Sequence, residues 1–317
     1  MLQRAAIAGA LAITATAHAA WPDDKPIEIV VGFAPGGETD IMARGLAPFL
    51  QKYLGAKASL VVVNKVGASG EIANAYLQRA QPDGYTIGVV NVPPLVFVPL
   101  TKKAQYDPRE LALTARVVSD ATLLVARRDS PYTSLQQVVQ ELRGRPNSLS
   151  FGYNGVGSNG HLAMLRLQQT TGIELNDVPF NGTGQSKNAL LGGHTQFMFT
   201  SLTAVPQPDK EAVPLRIVSQ FMAQRAPALK DVPTAREQGI DVVMPSDRGF
   251  ATPRAVPAAI RLRLQDAIAA ALKDPAFLKS ASGYASVISY LPGDEWQRSL
   301  DAGQAALQAL AAGMPRQ

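Results

Sequence analysis

Two glycine-rich stretches hold the residues whose types and spacing offer chemistry: Phe33-Ala-Pro-Gly-Gly-Glu-Thr-Asp40 and Tyr153-Asn-Gly-Val-Gly-Ser-Asn-Gly-His161. Each lies between a run of strand formers and a helical pattern. A turn in that position presents free backbone N–H groups and the positive end of a helix at the carboxyl edge of a sheet, where an anion is held without a charged side chain. Either turn alone says little, because tight turns need glycine for positive φ in any case. The pair, one in each half of the chain, predicts a single anion accepting hydrogen bonds from both sides, and closure driven by contacts that only the closed form makes.

Other chemistries are weighed at the same positions. Ser158 and His161 are a candidate nucleophile and base, but their spacing is that of a helix cap, and no Gly-x-Ser-x-Gly elbow precedes them. Gly155-Val-Gly157-Ser-Asn-Gly160 matches the dinucleotide fingerprint, with Glu174 near the offset of its ribose-binding acid. Glu174, however, opens its predicted strand instead of ending it, so no nucleotide and no other cofactor is expected. Asp40, closing the first turn, is read as accepting the turn's own N–H groups. His194, after Gly192-Gly193, reads as a helix-end cap. Arg248 is a candidate partner for a second ligand carboxylate, with a salt bridge to Asp247 as the alternative. The chain contains no cysteine, which removes disulfides, thiolate nucleophiles and thiolate-ligated metals. Without a His-x-x-x-His or Walker sequence, no metal or phosphate chemistry is expected either.

The elements that must position these turns alternate strand and helix, which predicts α/β lobes with largely parallel sheets. Predicted strands cover 27–33, 59–63, 85–90, 115–126, 149–153, 174–180, 195–200, 215–220 and 242–251. One predicted helix follows the first turn, with Ile41, Met42, Leu46, Phe49, Leu50 and Leu54 inward. Others lie near 71–80, 134–143, 161–170, 185–191, 257–272 and 294–310. Ser134-Leu-Gln-Gln137 is a capping-box start. In the 161–170 helix, Leu162, Leu165 and Gln169 are expected inward. Chain crossings near 118–123 and 244–249 would form a two-strand hinge. The resulting division is a first lobe at 20–120, a second at 121–245, and a return at 246–317 whose helices pack back on the first lobe.

Residues 1–19 read as a cleaved signal peptide: an alanine-rich apolar run from Ala5 to Ala17 ends in Ala17-His18-Ala19 and is too short to span a bilayer. Export without a cysteine for lipid attachment predicts a soluble protein of a Gram-negative periplasm. The formal charge of +5, one less once Arg4 has left, is mild and its bases are scattered. That argues against nucleic acid and suits an anionic ligand.

An ordered set of motifs runs through nearly the whole mature length: Trp21-Pro-Asp-Asp-Lys-Pro26, Val31-Gly-Phe-Ala-Pro-Gly-Gly37 with Thr39-Asp40, Pro82-Asp-Gly-Tyr85, Val178-Pro-Phe-Asn-Gly182, Leu190-Leu-Gly-Gly193 and Leu229-Lys-Asp-Val-Pro-Thr234. In these the chain resembles the Bug-type (TctC-like) substrate-binding proteins of tripartite tricarboxylate transporters. The resemblance implies a type II periplasmic-binding fold, with two Rossmann-like lobes joined by a two-strand hinge. It also implies a monomer that captures a small organic carboxylate without turnover. Di- and tricarboxylates, acidic amino acids and aromatic acids are the family's ligands, passed to a two-subunit integral membrane transporter.

The same resemblance implies ligand contacts at Phe33, Ala34, Pro35, Gly36, Gly37, Thr39 and Asp40 and at Asn154, Gly155, Gly157, Ser158 and His161, partly through ordered water. Three departures bear on the ligand. Glu38 replaces a small residue, Thr200-Ser201 replaces an acid or asparagine with neutral donors, and Ser246-Asp247-Arg248-Gly249 replaces an aromatic. An exported hydrolase using Ser158 and His161, and a ligand-sensing subunit of a signalling system, are the alternative functions.

Overall fold

A computed structural model of the chain describes residues 21–205, 214–281 and 283–313. The signal-peptide expectation for 1–19 lies outside them. No helix among the described residues is long and apolar enough to cross a membrane.

The chain opens with β1 (Ile27–Val31), α1 (Glu38–Leu54), β2 (Leu60–Asn64), α2 (Glu71–Arg79), β3 (Thr86–Val92) and α3 (Pro94–Thr101). β1 is flanked by β2 and β3, both parallel to it. This arrangement follows from strand runs rich in Val and Ile separated by helices long enough to cross over. Met42, Leu46, Leu50 and Leu54 of α1 recur every four residues and are buried along one helical face. Ile41, expected inward, lies off that face and is half exposed.

β4 (Leu111–Arg127) is a 17-residue strand that changes partners along its length. Residues 111–121 pair antiparallel with β9 (Pro245–Pro253), and residues 122–127 pair antiparallel with β7 (Phe197–Ser201) and β8 (Leu215–Gln220). Between these crossings come α4 (Leu135–Gly144), β5 (Ser150–Tyr153), α5 (Asn159–Thr171), β6 (Asn176–Pro179) and α6 (Thr183–Leu191). β5 runs parallel to both β6 and β7. The capping box expected at α4 is present: the Ser134 side chain accepts from the Gln137 N–H and the Gln137 side chain from the Ser134 N–H. In α5, Leu162, Met164 and Leu167 point inward, Leu165 is half-buried, and Gln169 is exposed, contrary to expectation.

The strands thus form one curled sheet in the order β2-β1-β3-β9-β4-β7-β5-β6. Its two ends are parallel, as expected, but its centre is antiparallel. The reason is topological: a chain that crosses between halves on β4 and returns on the neighbouring β9 runs in opposite directions on the two. α7 (Ala258–Ala271), α8 (Pro275–Ser280), β10 (Ile288–Pro292) and α9 (Gly293–Ala312) complete the fold. β10, which no sequence signal announced, pairs antiparallel with β4. Arg263 donates to the carbonyls of Trp21 and Leu54 at 2.6 and 2.7 Å, so α7 is tied to the first half.

Helices cover both faces of the sheet. One core gathers Ile29, Leu46, Leu50, Val117, Ile268 and Phe277; the other gathers Leu77, Phe97, Phe151, Leu162, Phe199 and Trp296. Burial of each such side chain contributes roughly 2 kcal/mol. Each core draws on both halves of the chain: Leu190 and Met198 join the first, and Leu77 and Trp296 lie with Phe151 in the second.

Candidate ligand-binding site

The turn after β1 is Ala34-Pro35-Gly36-Gly37. Pro35 presets φ, Gly36 takes φ +76°, and the Gly37 N–H closes the turn on the Ala34 carbonyl at 3.1 Å. Asp40 reaches back from the first helical turn and accepts the Gly36 N–H at 2.9 Å. Its carboxylate also accepts from Arg44 Nε at 3.0 Å and Asn64 Nδ2 at 2.8 Å. Burial alone would raise the Asp40 pKa, but the Arg44 guanidinium, the Gly36 N–H and the Asn64 amide together hold it below the ordinary carboxylate value.

The turn after β5 repeats this plan. Gly157 takes φ +84°, the Ser158 N–H bonds the Gly155 carbonyl at 3.1 Å, and the Gly157 N–H donates to His161 Nδ1 at 3.0 Å. The imidazole stacks on Tyr153 with ring centroids 4.9 Å apart. Burial pushes its pKa down to about 4, with Asp177 opposing, so near neutral pH it is uncharged with Nδ1 as acceptor. Ser158 caps α5 by accepting the His161 N–H at 3.3 Å. No hydrogen bond joins the Ser158 hydroxyl to the imidazole. The two side chains are a helix cap and a turn brace, and the serine has no base in position to activate it.

Both turns line one cavity of about 720 Å³, a size typical of small-molecule sites. The halves also touch across it, where Ser69 Oγ donates to the Val156 carbonyl at 2.6 Å. Residues 33–37 and Thr39 line the cavity from the first half. Asn154, Gly155, Gly157, Ser158, Thr200 and Ser201 line it from the second. The residues that open the two helices, Glu38 and Thr39 of α1 and Asn159 and Gly160 of α5, line this space as well.

Three expected contacts do not line it. Asp40 and His161 lie behind their turns, each occupied by a backbone N–H. Arg248, buried to 2% exposure, has Nη1 on Glu38 at 2.7 Å and Nη2 on Asp120 at 2.5 Å. A guanidinium held by two carboxylates is not a free partner for a ligand, which corrects the role expected of it. Nor does it pair with Asp247, which takes Arg116 at 3.1 Å. Burial pushes the Asp120 carboxyl above its ordinary value, Arg248 pulling against the rise and Glu38 adding to it. His194 is exposed just past α6, its N–H bonded to the Ala189 carbonyl at 2.9 Å.

Sequence reasoning missed several lining residues. Phe180, Asn181, Gly182 and Thr183 form a third turn, between β6 and α6, that borders the cavity. Three of them lie in the Val178-Pro-Phe-Asn-Gly182 motif, so the signal was present but unassigned. Asn91, Thr122 and Lys102 also line the cavity. Lys102 follows α3, a helix hidden in the proline-interrupted apolar run after β3, and pairs with Glu71 at 2.6 Å. Asn91 Oδ1, Thr122 Oγ1 and Thr200 Oγ1 are buried without hydrogen-bond partners. A polar wall with open valences is what a hydrogen-bonding ligand would satisfy.

Fold and site together define a two-lobed α/β solute-binding protein of the periplasmic type. The family model "Tripartite tricarboxylate transporter family receptor" (TctC) matches residues 42–287, and the chain belongs to this Bug/TctC family. It is 32% identical to the Cupriavidus necator "UPF0065 protein in gbd 5'region", over 87% of this chain and 83% of the relative. An R. palustris protein solved with adipate superposes with a TM-score of 0.82 at 28% identity, covering 92% of this chain and 98% of the other. MatC from Rhodopseudomonas palustris, solved with malate, superposes with a TM-score of 0.75 at 26% identity, covering 90% of this chain and 96% of the other.

Proposed function

We propose that this protein is a periplasmic receptor that encloses a small organic carboxylate between the turns at 33–40 and 154–161 and delivers it to a two-subunit membrane transporter. One observation carries the reading: two glycine turns from opposite halves, each with its helix N-terminus, border a single cavity. A carboxylate there accepts N–H bonds from both halves, so it stabilises the closed form and not the open one. The neighbours solved with adipate and malate support a carboxylate as the ligand class. The lobes at 20–120 with 246–317 and at 121–245 would move about β4 and β9, the two strands that cross between halves. Mature protein would begin after residue 19, and it would act as a monomer without turnover.

A panel of mono-, di- and tricarboxylates, aromatic acids and acidic amino acids tests this by thermal shift and calorimetry. A true ligand present at a hundred times its Kd raises stability by about 2.7 kcal/mol, and proton NMR of the mixture shows it unconsumed. Consumption of the ligand would make the protein an enzyme. A flat response to every acid would remove carboxylates from the account.

A further inference from the structure

Glu38 is the only acidic side chain among the described residues lining the cavity, and Lys102, committed to Glu71, is the only basic one. Glu38 stands on the first half, at the start of α1, and its oxygens are taken up by three donors. Ser201 Oγ and Arg248 Nη1 donate to Oε2, the latter at 2.7 Å, and Thr183 Oγ1 donates to Oε1 at 3.3 Å. Ser201 and Thr183 belong to the second half, and Arg248 to the returning strand β9. Two hydroxyls and a guanidinium converging on two oxygens is the donor set expected around a bound carboxylate.

Here the carboxylate belongs to the protein. With Arg248 also bonded to Asp120 at 2.5 Å, the cluster of Glu38, Arg248 and Asp120 has two acids and one base. A second ligand carboxylate would meet occupied donors and a like charge. The remaining open valence includes an acceptor, Asn91 Oδ1, which asks the ligand for a donor.

We infer that Glu38 fills, from within the protein, the subsite that a ligand's second carboxylate would take, so that the cleft selects an acid with one carboxylate and a hydroxyl or ammonium at its far end. This deepens the carboxylate reading above and rests on it. Selectivity here comes from an occupied site that repels the competitor.

The test compares matched linear series of three to six carbons: the simple acid, the ω-hydroxy acid, the ω-amino acid and the diacid, titrated by calorimetry into wild type, Glu38→Gln and Glu38→Ala. Circular dichroism confirms folding, and the isosteric Glu38→Gln serves if the alanine variant does not fold. Wild type is expected to bind the hydroxy or amino acid at least about tenfold more tightly than the diacid of equal length. Glu38→Ala, which frees the three donors, should gain about tenfold or more for the diacid, and adding Ser201→Ala should remove part of that gain. A wild-type preference for diacids, or a ratio unchanged by both Glu38 substitutions, overturns this inference alone. If no acid of any series bound any of the proteins, the inference and the carboxylate reading would fall together.

Discussion

In the turn after β1, the Gly36 N–H is held by a carboxylate, Asp40; in the turn after β5, the Gly157 N–H is held by an imidazole, His161. The offset is four residues in both, the glycine has positive φ in both, and the helix begins two residues after that glycine in both. The first residues of the two helices also correspond. Glu38 reaches into the second half, while Asn159 reaches out of it to the carbonyls of Val92 and Pro245 at 3.3 and 3.0 Å. The comparison teaches that the backbone shape is what anion capture demands, and that the bracing side chain is free to vary as long as it accepts a hydrogen bond. What varies with it is charge and the response to pH.

Removing the braces gives the largest expected effect. Asp40→Ala removes the acceptor shared by the Gly36 N–H, Arg44 and Asn64, and unfolding in urea should show a loss of about 3 kcal/mol. A loss below about 1 kcal/mol would mean that the first turn holds itself. For the second turn the brace is tested by pH. The unfolded imidazole takes a proton near pH 6.5, whereas the folded one resists until about 4. Stability from this group is therefore full above 6.5, falls as pH drops through the window from 6.5 to about 4, and levels off below it, a change of at most about 3 kcal/mol. Asp40, with its pKa lowered, loses its contribution only at more acid pH, below the ordinary carboxylate value. His161→Gln, which keeps an acceptor, should flatten the pH 4 to 6.5 window; persistence of the slope would assign it elsewhere.

The two braced glycines, Gly36 and Gly157, separate the turns further. An added Cβ at Gly36 meets nothing within 4 Å, but at Gly157 it would come 2.9 Å from Val98 Cγ2 in the other half. Gly36→Ala should cost about 1 kcal/mol from backbone strain, and Gly157→Ala about 2 kcal/mol, with ligand affinity also reduced because the clash opposes closure. Equal costs and unchanged affinity would show that the halves do not approach as described. The smallest effect is expected at the caps: Ser158→Ala should cost about 1 kcal/mol, whereas the N-cap of α1 is Gly37, which has no side chain and so no capping bond to lose.

Much of this was legible in the sequence. Strand and helix periods placed both turns between their elements, the capping box fixed the start of α4, and the apolar run around Ala115–Ala126 marked the crossing strand. The bracing role of Asp40 could be read from its position four residues after Gly36. Arg248 was misread because its partners are far away in sequence. Glu38 precedes it by 210 positions and Asp120 by 128, and no local spacing reports such pairing. A signal existed in Asp120 itself: a lone acid inside an apolar crossing strand has to be neutralised by a buried base. α3 and β10 escaped because prolines interrupt the first and the second is five residues long with no alternation of burial.

The sequence by itself determined the class of protein and the local shape of its two anion-presenting turns, because φ preferences, caps and hydrophobic periods act over a few residues. Only the tertiary structure decided which side chains face the ligand space, and that a glutamate already occupies three of its donors. That decision depends on how the two halves of the chain meet, and charges brought together by the meeting interact through a desolvated space whose geometry is set by packing across the whole molecule.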